Sequence, residues 1–459
     1  MVRVTHPLDA VLLSFLPSAE IYAVGGRVRD EFRTRYDGVE RLPKDLDYVV
    51  AGVSLENLTE ALCAVGQVDV VGASFAVLKF RHAAGEADIA LPRRERSTGR
   101  GHKDFHVQSG PDIPIADDLG RRDFRMNMIA RRLRDNTIVD PFGGVRDILA
   151  RRIDIVTPQT FEEDPLRMLR AAQFAARFDF TVAEGALAAM SACAALVTTV
   201  SAERIGEELG KLLGRAKAPS VGLEILRETG VLAHIWPELL EGVGVEQNEW
   251  HAYDVYRHNL VTVDATPPGD LTLRLAALLH DVGKPRTKDG PHFYRHEQVG
   301  ADLVPAMLAR LRLAGDVVET VEQLVRHHMY VADPDLAPKA IRRFIRRVGP
   351  HHLARQFALR AADIRGSGLP KRDDTNERFE ASVNAVLAEH PPQSVADLAI
   401  GGEAIIAEFV RQGKAKEGFR GDQRVGGVLA TLLEYVTDDP TRNAAPDLAR
   451  EAARVVAGF

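Results

Sequence analysis

Near position 160 the apolar residues of this 459-residue chain change period, and that change divides what the chain can become. Before it, short apolar runs alternate with turn signals. "IYAVGG" (21–26), "LDYVVAG" (46–52), "FAVLKF" (75–80) and "EADIAL" (86–91) have the length and side chains of strands. Helices are predicted after Gly25-Gly26 and over Leu55–Val65. Past Phe161 the spacing turns helical: "DPLRMLRAAQFAARF" puts Leu166, Leu169, Phe174 and Phe178 near one face. Asp164-Pro165 reads there as an N-cap with proline at the first helical position. Helical signals continue to the end, with breaks near Gly242–Gln247, Ser367–Asp373 and Pro391-Pro392. The chain is too long for one core. The predicted class is α+β: a mixed α/β head (1–155), a helical neck (156–245), a helical body (246–380) and a helical tail (381–459).

Composition narrows the function classes. With 45% hydrophobic and 27% charged residues the chain is an ordinary globular one, and a net charge of −6 argues against a uniformly basic nucleic-acid coat. Local basic patches remain, at 93–103, 121–134 and 342–347. Cys63 and Cys193 are too few for a disulfide framework or a cysteine zinc site, which suits a reducing cytosol, and a cytoplasmic protein is expected. "AVLLSFLP" is short and lacks a basic lead-in, and no other stretch approaches ~20 uninterrupted apolar residues, so neither a signal peptide nor a membrane span is predicted.

The informative detail lies at 42–52, "LPKDLDYVVAG". Residues i and i+2 of a strand share a face, so Asp45 and Asp47 are expected side by side at the entrance of an apolar run. Carboxylates that close repel unless a cation sits between them. An isolated D-x-D is usually a solvated strand edge, so its company decides. Upstream, two glycines after a strand let a backbone approach a ligand, and the following helix start suits a phosphate, with Arg29 nearby. Downstream, Asp88 falls within a predicted strand. A glycine pair for triphosphate and strand carboxylates for metal are what nucleotidyl transfer requires.

Four motifs occur in order: "AVGGRVRD…KDLDYVV", "DLGRRDFRMNMIA", "IVDPFGGVRDIL" and "EEDPLRMLRAAQFAARF". Together they resemble the bacterial class II tRNA nucleotidyltransferase (CCA-adding enzyme) and poly(A) polymerase family. The resemblance implies a nucleotidyltransferase-type head and that Gly25, Gly26 and Arg29 serve the triphosphate. It also implies that Asp45 and Asp47 hold Mg2+, with Asp88 a third catalytic carboxylate, and that Asp123 and Asn127 contact ribose and phosphate, with Arg122 also in the nucleotide site. Asp164 and Arg167, followed by Arg170, would read the incoming base. That reading makes chemical sense. Cytosine and adenine both show an amino donor beside a ring-nitrogen acceptor, which a carboxylate and a guanidinium match. A site built on such bonds rejects UTP and GTP, because its polar groups would be left unpaired. Three positions depart from the family pattern: Arg125 and Met128 replace small residues, and Gln173 replaces a frequent arginine. The partners implied are tRNA, through its acceptor stem and 3′ end, and CTP and ATP, for a monomer or homodimer. The glycine-bearing, basic stretch 92–107 is expected to be the flexible lever that accompanies addition of A.

A second constellation follows. His258, His280-Asp281 and Asp363 resemble the ligand set of HD phosphohydrolases, and His296 with His327 or His328 would complete a second ion site. Imidazole and carboxylate together suit Mn, Fe, Ni or Zn better than Mg, and a second divalent metal such as Mn2+, Ni2+ or Mg2+ is expected there. The segment 397–443 resembles the helical tail of many family members, whose glycine turns would place N–H groups on tRNA phosphates; an ordinary helical closing module is the alternative. The expected activity is addition of CCA, or its terminal A, with a metal-dependent phosphohydrolase activity beside it. The alternatives are an enzyme adding only A, a poly(A) polymerase, or a chain that is mainly an HD phosphohydrolase.

Overall fold

The structure, a computed structural model, describes residues 6–39, 45–71, 77–97, 105–370 and 373–459. The chain forms two units. One takes in residues up to Leu240 with Pro267–Leu271 and Arg310–Leu313; the other comprises Glu241–Thr266, Thr272–Ala309 and Ala314–Phe459.

The first unit begins with α1 (Pro7–Phe15), β1 (Glu20–Val24), α2 (Gly26–Asp37), β2 (Asp47–Ala51) and α3 (Leu55–Cys63). Then come β3 (Gln67–Val71), β4 (Val77–His82), β5 (Gly85–Ala90), β6 (Arg93–Ser97), β7 (Phe105–Ser109), α4 (Ile115–Gly120), β8 (Ala130–Arg132) and β9 (Ile138–Val139). One seven-stranded sheet runs β3-β4-β5-β2-β1-β8-β9. Only β2 and β5 pair in parallel, and their register sets Asp47 opposite Asp88. The middle strands β1 and β2 are near-continuous apolar runs, as strands buried on both faces must be. The edge strand β3 leaves Val70 and Val71 exposed. The stretch expected to be a lever (92–107) contains most of an antiparallel ribbon, β6 on β7, while Gly99 and Gly101 lie outside the described residues. The expected pairing of Asp45 with Asp47 on one strand face needs correction, because β2 starts at Asp47 and Asp45 sits in the bend before it.

Behind the sheet entrance a buried polar network joins four elements. Arg27 donates to both Asp9 oxygens at 2.8 and 2.6 Å and to the Tyr48 hydroxyl at 2.8 Å. Arg131 reaches Glu31 at 3.0 and 3.1 Å. Every member is paired across α1, α2, β2 and β8, so the network fixes how the glycine turn meets β2. Two further helices of this unit matter below, α5 (Leu166–Phe178) and α6 (Ala202–Arg215). Helix α5 starts one residue later than expected. Pro165 occupies the cap position, and Asp164 Oδ1 accepts from the Leu166 N–H at 3.2 Å.

Almost entirely helical, the second unit contains α7 (Val255–Asp264), α8 (Leu271–Leu279), α9 (His296–Ala309), α10 (Gly315–Arg326), α11 (Pro338–Val348), α12 (Leu353–Gly366), α13 (Thr375–Ala388), α14 (Gly402–Arg411), α15 (Gln423–Asp438) and α16 (Ala445–Ala457). Tyr330, Ile345, Phe357 and Phe379 form one core, and Phe409, Val428, Leu432 and Leu448 another. Buried Arg342 ties them together by donating to the Thr437 and Asp438 carbonyls at the end of α15, at 2.6 and 2.8 Å. A cation there satisfies the last carbonyls of a helix and complements its dipole.

Candidate active site and metal centre

In the first unit a cavity of about 1320 Å³ is lined by Gly25, Gly26, Arg29, Asp45, Asp47, Arg122, Asp123, Asn127, Asp164, Arg167 and Arg170. All but one of the sequence-predicted head and neck residues are therefore brought together. The exception, Asp88, lies exposed beside Asp47. Burial first, and then the carboxylates of Asp88 and Asp45, raise the Asp47 pKa, against the pull of Arg122. An added divalent cation with oxygen preference would relieve that repulsion, so the donor set fits Mg2+.

The glycine turn is built for close approach. Gly25 has φ +68°, and a Cβ there would come within 2.9 Å of Arg122 Nη1 and 3.5 Å of Asp47 Oδ2. Gly25→Ala is thus expected to cost about 1–3 kcal/mol of stability through backbone strain. It should also cut nucleotide incorporation more than tenfold by displacing Arg122. Gly38 has a similar φ of +72°, but a Cβ added there would meet nothing within 4 Å, so Gly38→Ala should lower Tm without that loss.

A belt of hydrogen bonds crosses the cavity. Arg29 donates to Asn127 Oδ1 at 2.8 Å, Asn127 to Asp123 Oδ1 at 2.8 Å, and Arg170 to Asp123 Oδ2 at 2.9 and 2.7 Å. Burial alone would raise the Asp123 pKa, but Arg170, Asn127 and the Phe124 N–H hold it below the usual carboxylate range. The side chains of Asp164 and Arg167 share the cavity without pairing to each other. Asp164 takes Arg204 at 3.0 Å, while Arg167 donates to the Arg121 carbonyl at 2.8 Å and to Glu163 at 3.1 Å. Both are held in place before any base arrives. The family departures are accommodated: Arg125 pairs with Asp154 at 3.1 Å, Met128 is core, and Gln173 lines the cavity with Oε1 buried and unpartnered. Sequence reading missed Arg204, Glu208 and Lys211 on α6, whose i, i+4, i+7 spacing marked a polar face but not what it faced.

The second unit holds a cluster of buried imidazoles. His258, His280, His296 and His328 each place Nδ1 2.7–3.1 Å from a backbone carbonyl. Those bonds make Nδ1 the donor and leave the Nε2 lone pair facing inward. Yet the Nε2 atoms lie 3.1 Å apart in two pairs, His258 with His280 and His296 with His328. Lone pairs so arranged require a proton or a metal between them. Asp281 serves both pairs: Oδ2 lies 3.4 and 3.2 Å from His258 and His280, and Oδ1 3.3 and 3.6 Å from His296 and His328. Asp363 approaches His258 at 3.1 Å. Although burial opposes it, Asp281 and Asp363 push His280 up to about 10, while both carboxylates are held well below their usual range. The donor set fits a divalent cation of imidazole preference. Of the two histidines left open by sequence, His328 is in the cluster and His327 is not. His251 and Lys284 also enter it, His251 stacked edge-on against His258 at 4.7 Å and Lys284 2.7 Å from Asp281 Oδ2.

Three domain families match: "Poly A polymerase head domain" over residues 21–154, "Probable RNA and SrmB-binding site of polymerase A" over 179–242, and "HD domain" over 264–366. The "Multifunctional CCA protein" of Nitrosococcus oceani is 38% identical over 412 residues, covering 86% of this chain and 96% of the relative. The chain belongs to the family of multifunctional CCA proteins. The Verminephrobacter eiseniae member is 35% identical over 420 residues, covering 86% and 97%. Among solved structures, the fold is similar to that of the Bacillus stearothermophilus CCA-adding enzyme in complex with CTP, at TM-score 0.66 and 21% identity, covering 97% and 96%. It also resembles the Thermotoga maritima CCA-adding enzyme complexed with tRNA, at TM-score 0.55 and 19% identity, covering 98% and 95%. The family accounts for a nucleotidyltransferase that uses a divalent metal. Among the described residues no helix is long and apolar enough to cross a membrane.

Proposed function

We propose that this chain adds CCA to the 3′ end of tRNA from CTP and ATP, releasing pyrophosphate. The observation that carries the reading is that one cavity joins the Asp45–Asp47 carboxylates to the Asp164–Arg167 rim. Asp45, Asp47 and Asp88 would hold Mg2+, which when bound activates the attacking hydroxyl and neutralises charge on the leaving group. The Gly25-Gly26 turn and helix α2 aim N–H groups at the triphosphate, with Arg29 and Arg122 beside it. Asp123 is neutralised by Arg170 and Asn127 is oriented by Arg29, which leaves both placed for the ribose. Asp164 accepts from the amino group of cytosine or adenine, and Arg167 donates to the ring nitrogen.

Incubation with tRNA ending at the discriminator base, at C and at CC, with each NTP separately, tests this. C should go onto the first two acceptors and A onto the third, with UTP and GTP refused. Use of ATP alone on the CC end would make the chain an A-adding enzyme, and runs of A on any end a poly(A) polymerase.

A second reading concerns the imidazole cluster, favoured by its four convergent Nε2 atoms. His258, His280, Asp281 and Asp363 would hold a divalent metal such as Mn2+, Ni2+ or Mg2+, with His296 and His328 completing a second position. The ion would supply an activated water for phosphoester hydrolysis.

A further inference from the structure

The floor of the head-and-neck cavity is a trough between α5 and α6, and its charges are matched rung by rung along most of its length. Asp164 pairs with Arg204 at 3.0 Å. A turn further, Arg170 faces Glu208 at 3.7 Å, and Glu208 also takes Lys211 at 2.7 Å. At the last rung the matching stops. Arg177 ends the cavity face of α5 and Arg215 ends that of α6, both lining the cavity, and neither has a hydrogen-bonded or ion-paired carboxylate among the described residues. Two more guanidiniums converge there from α2. Arg29, Arg33 and Arg177 lie 4.6, 3.9 and 5.4 Å from the centroid of the Phe178 ring. The nearby acid, Asp30, is already bonded by Arg29 and Arg33 at 2.9–3.0 Å. Burial first, and then the charges of Arg215, Arg29 and Arg33, hold the Arg177 guanidinium below the usual arginine range, with Asp30 opposing.

Cations in the last turn of a helix are favoured by the dipole, which accounts for finding arginines at these two positions. A dipole end supplies about half a charge, however, and here full charges of one sign share a semi-enclosed space. Such a concentration is an anion seat awaiting its anion. Gln173 adds an independent sign of a ligand: it is 1% exposed, lines the same trough and keeps its Oε1 unpartnered, an acceptor that suits a ribose hydroxyl beside the phosphate rather than the phosphate itself.

We infer that Arg177 and Arg215 grip backbone phosphates of the tRNA 3′ strand, upstream of the nucleotide being extended. The assignment rests on the transferase reading above and adds to it a seat for the primer. The incoming triphosphate is the other phosphate at hand and shares Arg29, but its remaining groups are the glycine turn and Arg122 beside Asp47, and neither Arg177 nor Arg215 is among them. Arg177 stands ~15 Å along α5 from the base-reading Arg167, at 1.5 Å per residue. Arg215 falls within residues 179–242, the stretch that matches the RNA-binding family of polymerase A. A polyanion with one phosphate per nucleotide can occupy the trough and its unmatched end together.

The test compares wild type with Arg177→Gln/Arg215→Gln and with Arg215→Gln alone, the latter exposed and so without consequence for folding. tRNA affinity is measured against salt, and KM for tRNA, CTP and ATP against kcat. The double variant should bind tRNA about tenfold or more weakly, and the slope of log K on log[salt] should flatten by about 1 to 2, as expected for two lost phosphate contacts. The loss should fall on KM for tRNA, Arg215→Gln should show part of it, and Arg177→Lys/Arg215→Lys should recover most of it. Weaker inhibition by inorganic pyrophosphate and a raised KM for CTP and ATP, with tRNA affinity unchanged, would make this a polyphosphate seat and overturn the assignment. Unchanged tRNA affinity and salt slope, in a wild type that does incorporate nucleotides, would overturn it alone. A wild type that incorporates none would strike the transferase reading itself.

Discussion

Asp47→Ala is expected to lower nucleotide incorporation at least ~10³-fold, equivalent to about 4 kcal/mol of transition-state stabilisation. The variant should remain folded. Asp47 opens β2, half-buried, with Asp88 opposite it and Asp45 two residues before. Its pKa is raised by burial and by those two carboxylates, so the native state holds its proton more tightly than the unfolded chain does. With the sign followed through, that costs stability as pH rises through the folded value, and the cost is present at neutral pH without metal. Removing the carboxylate should therefore leave Tm unchanged or slightly higher in chelator. Adding Mg2+ should raise the wild-type Tm, because the ion binds only the native site, and should do so much less in Asp47→Ala. Asp45→Ala should lose nucleotide incorporation alike. Near-normal turnover in both variants would sink the assignment of these carboxylates to metal.

Much of this head was legible in the sequence, because its strands are apolar runs that only a buried sheet accommodates. "IYAVGG" and "LDYVVAG" became the two middle strands, and Gly25 supplied the positive φ that the tight turn demanded. Strands β3 and β6–β9 were not read, since "QVDVV" carries an aspartate mid-run and the others are short or charged. Within the site, what could be read were residues set by local spacing. What escaped were partners fixed by tertiary packing. Arg204 reaches Asp164 from forty positions away, and Glu208 meets Arg170 only because α6 lies along α5. His251 sits in a loop, where no periodicity marks a ligand. The choice between His327 and His328 depended on how the chain turns after α10 ends at Arg326, which adjacent histidines in a sequence leave open.

The imidazole cluster invites the opposite experiment, removal of its shared ligand. Asp281 is 1% exposed, and each of its oxygens faces one pair of histidines, so this carboxylate bridges the two halves of the cluster. His280→Ala with Asp281→Ala should abolish metal-dependent phosphohydrolysis, at least ~10³-fold, because the loss of two donors releases the ion that would activate water. Nucleotide addition should continue, since every ligand of the cluster lies in the second unit and the nucleotide cavity lies in the first. The double variant carries a folding hazard: Lys284 is buried 2.7 Å from Asp281 Oδ2 and would lose its counter-charge. Asp281→Asn keeps the shape and a hydrogen-bond acceptor for Lys284 while weakening the metal seat, so it separates loss of metal from loss of fold. Its bound metal, measured after dialysis, should fall together with hydrolysis while CTP and ATP incorporation stay near wild type. A folded Asp281→Asn protein that had lost both activities would mean that the two sites depend on each other, and the separation drawn here would be wrong.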